Sequence, residues 1–262
     1  EQGVILREME KGEAEPFRQL HYLLVETLFQ HHPVRYRVIG TPEIFKKITY
    51  KRLREYYRSM YVPANMVLSA VGDFNKDEML NKIKKCVSQF KPPLKSHLPE
   101  LPNESPQDNT TRRVKKMPIK GYYLAIGFKT VPLDHPDMYP LDVLSYILSK
   151  GKSSRLVYLL KEKLQLADTI STASYTPAYK GGGYFEIVAI TDRERIKKLE
   201  SVIWQELEKI KQQGVTDKEL KKAKKQKQAD YIFGLERIED LAAELGTNVL
   251  FTGDPHYTER YL

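Results

Sequence analysis

Two acidic residues, Glu1 and Glu8, stand seven positions apart in EQGVILREM, a stretch that reads as helix. At 3.6 residues per turn the two carboxylates share nearly one face, two turns apart, a placement open to metal chemistry and equally to a plain solvated helix face. The six histidines, His21, His31, His32, His97, His135 and His256, contain no i, i+4 pair, and the neighbours His31 and His32 point apart on either a helix or a strand. By themselves these residues make no self-sufficient zinc site. Nucleotide chemistry fails at Gly151-Lys152-Ser153, where a phosphate loop requires a glycine at the position Tyr146 occupies. No Gly-x-Ser-x-Gly elbow offers a serine nucleophile. The single cysteine, Cys86, excludes an internal disulfide and a thiolate zinc cluster. It falls on the Leu80, Ile83, Val87, Phe90 face of a helical stretch, which predicts a buried core thiol rather than a nucleophile.

The elements that must position these groups belong to a globular chain of 262 residues with 41% hydrophobic and 29% charged residues, compositions foreign to disordered or collagen-like chains. The length suggests two domains. The formal charge of +9 is densest at Lys218, Lys221, Lys222, Lys224, Lys225 and Lys227. With no interleaved aromatic residues for base stacking, this run reads as a solvated helix face and not as a nucleic-acid site. No apolar run approaches the roughly 18 residues of a membrane span. The chain opens directly into Val4, Ile5 and Leu6 without an initiator Met, so a portion of a longer polypeptide is expected.

Between Lys91 and Met117 lie Pro92, Pro93, Pro99, Pro102 and Pro106, a composition that predicts an extended connector. Before it, helices are expected over Phe17 to Phe29 and Tyr50 to Met60, a buried strand over Asn65 to Val71, and a helix from Lys76 to Phe90 opened by Asn75 and Glu78. After it come a strand over Gly121 to Val131 and helical periodicity from Asp137 to Leu160, interrupted at Gly151. A hairpin of Asp168 to Thr176 and Gly183 to Thr191 follows. The triple glycine Gly181 to Gly183 with Tyr184 and Phe185 reads either as a hairpin tip or as an edge for strand addition by a peptide. Thr191 with Glu194 and Thr216 with Glu219 have capping-box spacing, the second opening a helix that reaches roughly to Gly246. Hairpins with long helices imply an α+β fold: mainly antiparallel sheet with helices packed on one face. Leu28-Phe29 with Pro33 and Tyr36 is echoed by Leu250-Phe251 with Pro255 and Tyr257, a short repeat that suggests two related lobes.

The Glu1-x6-Glu8 pair, then HHPVRYRVIG, YYRSMYVPANMVLSAVGDFNKDEMLNKI and SSRLVYLLKEKLQLA, follow one another in an order that resembles the pitrilysin/insulinase family of inverted zinc peptidases, which includes mitochondrial processing peptidase and its bacterial relatives. The resemblance runs over essentially the whole chain. It implies that residues 1–90 are the C-terminal part of a catalytic-type lobe, 91–117 an inter-lobe linker, and 118–262 a second, non-catalytic lobe incomplete at its C-terminus. In this family two histidines of a His-x-x-Glu-His helix bind zinc, the intervening Glu is the general base, and a downstream Glu completes the ligand set. Carried over, Glu8 is that metal ligand and Glu1 an accessory acid, while the inverted motif falls before residue 1. Two imidazoles and one carboxylate leave a fourth zinc position for water, the arrangement hydrolytic zinc sites share.

The resemblance therefore implies a zinc-dependent metalloendopeptidase acting on peptides or unfolded polypeptide, with this chain alone metal-free and inactive. Family members also use an Arg and a Tyr, seven apart, against the substrate backbone. Those positions are Lys161 and Asp168 here: Lys161 keeps a charge without the bidentate fork, and Asp168 does not replace a phenol. A second bilobed half or homologous subunit is the implied partner. Two alternatives stay open, a non-catalytic partner or structural member of the same family and a basic nucleic-acid-binding protein. Relatives occupy bacterial periplasm, cytoplasm and mitochondria, and the bacterial compartments are preferred.

Overall fold

A computed structural model describes residues 2–88, 100–177 and 181–262. In chain order its helices are α1 (Gln2–Ala14), α2 (Pro16–Leu28), α3 (Pro42–Phe45), α4 (Tyr50–Met60), α5 (Lys76–Val87), α6 (Met138–Ser149), α7 (Ile196–Gln213), α8 (Asp217–Gly234), α9 (Ile238–Thr252) and α10 (Tyr257–Tyr261). A π-helical segment covers Val157–Lys163, and the strands are β1 (Tyr122–Lys129), β2 (Thr169–Tyr175) and β3 (Tyr184–Thr191). The fold is α+β. It divides into two compact units, Glu1–Phe45 with Leu101–Lys227 and Lys46–Glu100 with Gln228–Leu262.

The first unit is built on an antiparallel sheet of order β1-β3-β2, in register at Ile126↔Ile187 and Thr172↔Ile187. Side chains alternate across the pleat, so Ile126, Ile170, Phe185 and Ile187 face one way. There they meet Leu148 of α6, Leu156 and Leu160 around the π-helical segment, and Leu199 and Ile203 of α7. Each of those five is wholly buried, contributing about 1.5–3 kcal/mol on transfer from water. These helices cover one face, as expected. On the other, α2 lies against β1, with Leu24, Val25, Leu28 and Phe29 packed around Ala125 and Tyr184. Gly127 permits that approach: a Cβ there would stand 2.7 Å from the Leu24 Cδ1 and 2.8 Å from the Leu28 Cδ1.

Several local signals read from sequence work as expected. Thr216 and Glu219 form the reciprocal box, the Thr216 N–H donating to the Glu219 carboxylate at 2.8 Å and the Glu219 N–H to Thr216 Oγ1 at 3.3 Å. Asn75 Oδ1 accepts from the N–H groups of Asp77 and Glu78. Gly151, at φ +83°, ends the α6 region in the conformation only glycine adopts cheaply. Thr191 is different. Its hydroxyl donates to the Leu166 carbonyl at 2.6 Å, and Asp192 caps instead, accepting from Glu194 and Arg195 N–H at 3.0 and 2.9 Å. The helix expected to reach Gly246 breaks after Gly234 and restarts at Ile238.

The second unit holds α4, α5, α9 and α10, and two expectations fail in it. Residues 65–71 form no strand, and Met66 and Leu68 are exposed. A largely apolar strand of this kind needs neighbouring strands, and the described residues of this unit supply none. Cys86 is exposed as well, because the Leu80 and Val87 face of α5 is not covered. The repeat is unequal for the same reason: Leu28 and Phe29 are buried, Leu250 and Phe251 exposed. Of the proline-rich connector, 91–99 lies outside the described residues, as do the last two residues of the helix expected to reach Phe90, and 100–117 carries no helix or strand.

Candidate active-site residues

Glu8 projects from α1, a helix anchored at the residue that follows it and again one turn on. Met9 and Gly12 are buried, and the Gln19 side chain of α2 donates to the Gly12 carbonyl at 2.8 Å. The Lys115 ammonium reaches both Gln19 Oε1, at 2.5 Å, and Glu13 Oε2, at 3.5 Å, tying the connector to the α1–α2 pair. Arg37 pairs with Glu13 and lies 4.5 Å from the Tyr22 ring centroid. With α1 fixed in this way, Glu8 is exposed at an open groove of about 520 Å³ shared with Ile5, Arg18, Tyr22, Val38, Ile39 and Phe45. Arg18, the cation of that groove, also pairs with Glu15 at 3.2 Å.

Glu1 lies outside the described residues, so the expected Glu1–Glu8 face has one described member. Lys161 is exposed on the π-helical segment and is not among the residues lining the groove of Glu8. Asp168 is engaged in a structural pair, accepting from the Arg195 guanidinium at 3.1 Å. Zinc requires at least three converging protein ligands. Among the described residues no group of three or more His, Cys, Asp and Glu side chains gathers to hold a metal ion, so Glu8 does not fit zinc without ligands from elsewhere.

The strongest polar contacts around the α2 end escaped the sequence. Glu104, its side chain 7% exposed, accepts from three successive backbone N–H groups, Gln30 at 2.8 Å, His31 at 2.9 Å and His32 at 2.8 Å, and from Lys129 Nζ at 3.2 Å. Burial pushes its carboxyl up, but the backbone donors and the Lys129 ammonium win and hold it at about 2. Glu219 is likewise held at about 2, first by the Arg155 guanidinium, which donates at 2.7 Å, against burial and with help from Thr216. The hairpin is not a free edge at Tyr184 and Phe185, because β3 is the central strand and pairs on both sides. At the β2 edge the Thr172 N–H donates to Ser149 Oγ at 2.9 Å and Thr172 Oγ1 to the Ser145 carbonyl at 2.8 Å.

Residues 47–227 match the family model described as peptidase M16 inactive domain. Similar proteins include the uncharacterized zinc protease YmxG of Bacillus subtilis, 28% identical over 253 residues that make up 97% of this chain and 60% of that one. Another is a probable mitochondrial-processing peptidase subunit beta of Arabidopsis thaliana, 24% identical over 265 residues, 97% of this chain and 49% of that protein. The crystal structure of a protease from Helicobacter pylori superposes with a TM-score of 0.87 at 25% identity, covering 99% of this chain and 63% of that one. The chain thus spans about half to three fifths of the length of these relatives. Sequence order, sheet topology and the matched span agree, and the chain belongs to the M16 peptidase family, the pitrilysin/insulinase peptidases.

Proposed function

We propose that this chain is part of a zinc-dependent metalloendopeptidase that hydrolyses peptides or unfolded polypeptide segments, and that Glu8 is its contribution to the metal site. The observation that carries the reading is Glu8 itself, exposed at an open groove on a helix anchored through Met9 and Gly12. Membership of the family and relatives named zinc proteases support it. In this reading residues 1–90 belong to the catalytic-type lobe, 91–117 link the lobes, and 118–262 belong to a second lobe that helps to hold substrate. Glu1 is an accessory acid near the metal, and Lys161 a contact to the peptide backbone. The remaining ligands come from a part of the parent outside this chain, which is therefore inactive alone.

The test is hydrolysis of a quenched fluorescent peptide by the parent protein. Activity abolished by a zinc chelator and restored by zinc supports the reading; chelator-resistant activity overturns it. A non-catalytic partner subunit is the second reading, favoured by the inactive-domain match and by a relative named as a peptidase subunit. It predicts no hydrolysis by the parent alone and hydrolysis once a homologous subunit is added.

A further inference from the structure

The helix that bears Glu8 gains little from apolar contact. Among the described residues of α1, Met9 is the one large apolar side chain that is buried; Ile5 and Leu6 are half-buried and Val4 is exposed. None of them joins the apolar clusters described around the sheet. The ties that remain are polar. Gln19 of α2, 2% exposed, donates its side-chain N–H to the Gly12 carbonyl at 2.8 Å, one turn beyond Glu8. Gly12 also lets Arg18 lie across α1, since a Cβ there would stand 2.8 Å from the Arg18 Nη1 and 3.1 Å from its Cδ.

A buried primary amide has an oxygen to satisfy as well as its N–H groups, and leaving that oxygen without a donor costs its full desolvation. The donor to Gln19 Oε1 comes from the connector: Lys115 Nζ, at 2.5 Å. Among the described residues no second donor reaches that oxygen. The same ammonium stands 3.5 Å from Glu13 Oε2 of α1, whose other oxygen pairs with Arg37. One lysine therefore serves both α1 and the amide that grips α1. The connector's other ties lie away from α1. Glu104 is held just past the end of α2 and on Lys129 of β1, and Arg112 pairs with Glu200 of α7. Val114 and Lys116, the neighbours of Lys115, are exposed, so polar contact and not apolar burial seats this stretch.

We propose that Lys115 is a positioning residue: through the buried Gln19 amide and through Glu13 it docks α1, so the seating of the connector sets how firmly the helix bearing Glu8 is held. Without the ammonium, Gln19 Oε1 is buried and unpaired, the amide must turn or move toward water, and the Gly12 carbonyl loses its donor. The Lys115–Glu13 pair is half exposed and contributes little alone, so the effect runs through Gln19. The docking of α1 stands on these contacts, while its bearing on a metal rests on the reading of Glu8 given above.

The experiment is hydrogen exchange on the parent protein, read by mass spectrometry over α1 with α6 and α7 as internal references. Lys115→Met, which keeps the stem and removes the ammonium, should speed exchange of α1 about tenfold and leave α6 and α7 unchanged. Lys115→Arg, which retains donors for Gln19 and Glu13, should restore most of that protection. Gln19→Met should speed α1 exchange in the same way, and adding Lys115→Met to it should change little more, because the two act along one chain of contacts. Arg112→Gln, which opens only the tie to α7, should leave α1 as it is. Unchanged α1 exchange in Lys115→Met, or equal acceleration in Arg112→Gln, overturns the proposal. Zinc binding by the parent separates this from the metal reading. Weaker zinc binding in Lys115→Met than in Arg112→Gln supports both; a parent that holds no zinc overturns the reading of Glu8 and leaves the docking of α1 standing.

Discussion

Glu104 stands out among the residues because its carboxylate faces three backbone N–H groups whose alternative, once the side chain is gone, is to be left without an acceptor. Glu104→Gln, which keeps the shape and loses the charge, should lower unfolding stability by about 2 kcal/mol in urea titrations at pH 7. The sign with pH follows from a folded pKa near 2 against an ordinary value of 4.5. The stabilisation is fully present above 4.5 and is lost as the pH falls through 2. Wild-type stability should decline over that window, and the variant should decline less; parallel curves would contradict the assignment. Nothing near Glu104 in sequence announced this role, since its backbone donors are 72 to 74 residues away and Lys129 is 25 away. The Thr216–Glu219 box, whose partners are three residues apart, was legible at once.

At the scale of elements, the α2–β1 contact depends on the missing side chain of Gly127. Gly127→Ala should cost about 1–3 kcal/mol, because the new methyl meets Leu24 and Leu28 inside contact distance and one element must move. Chemical denaturation measures it, and an unchanged midpoint would mean that α2 shifts freely. Helices with local start signals, such as α4, α5 and α8, could be read from the chain because capping and 3.6-residue spacing are properties of neighbours in sequence. The hairpin was legible from its glycines, but the central place of β3 was not, since strand order is decided by long-range pairing with β1. Residues 65–71 carried a strand pattern without strand partners among the described residues of their unit, and a pattern alone does not make a ladder. The exposed Cys86 follows from the same uncovered unit.

At the scale of the whole molecule, the metal-site proposal rests on Glu8, since Glu1 lies outside the described residues. Glu8 stands at an open groove, and the proposed zinc site requires ligands that the described residues do not gather. The basic balance has been partly absorbed: Lys227 pairs with Asp142, and Lys222 donates to Ser153 at 2.7 Å. The family could be recognised because motif order survives where individual motifs are degenerate; the ligand set could not be completed, because zinc sites are convergences in space of residues distant in sequence. The account turns on Glu8 as a ligand, and the direct measurement is the zinc bound per molecule of the parent protein after dialysis, with and without Glu8→Gln. About one zinc per chain that falls by at least tenfold in affinity in the variant is the expected result. Full zinc retention by the variant would contradict it.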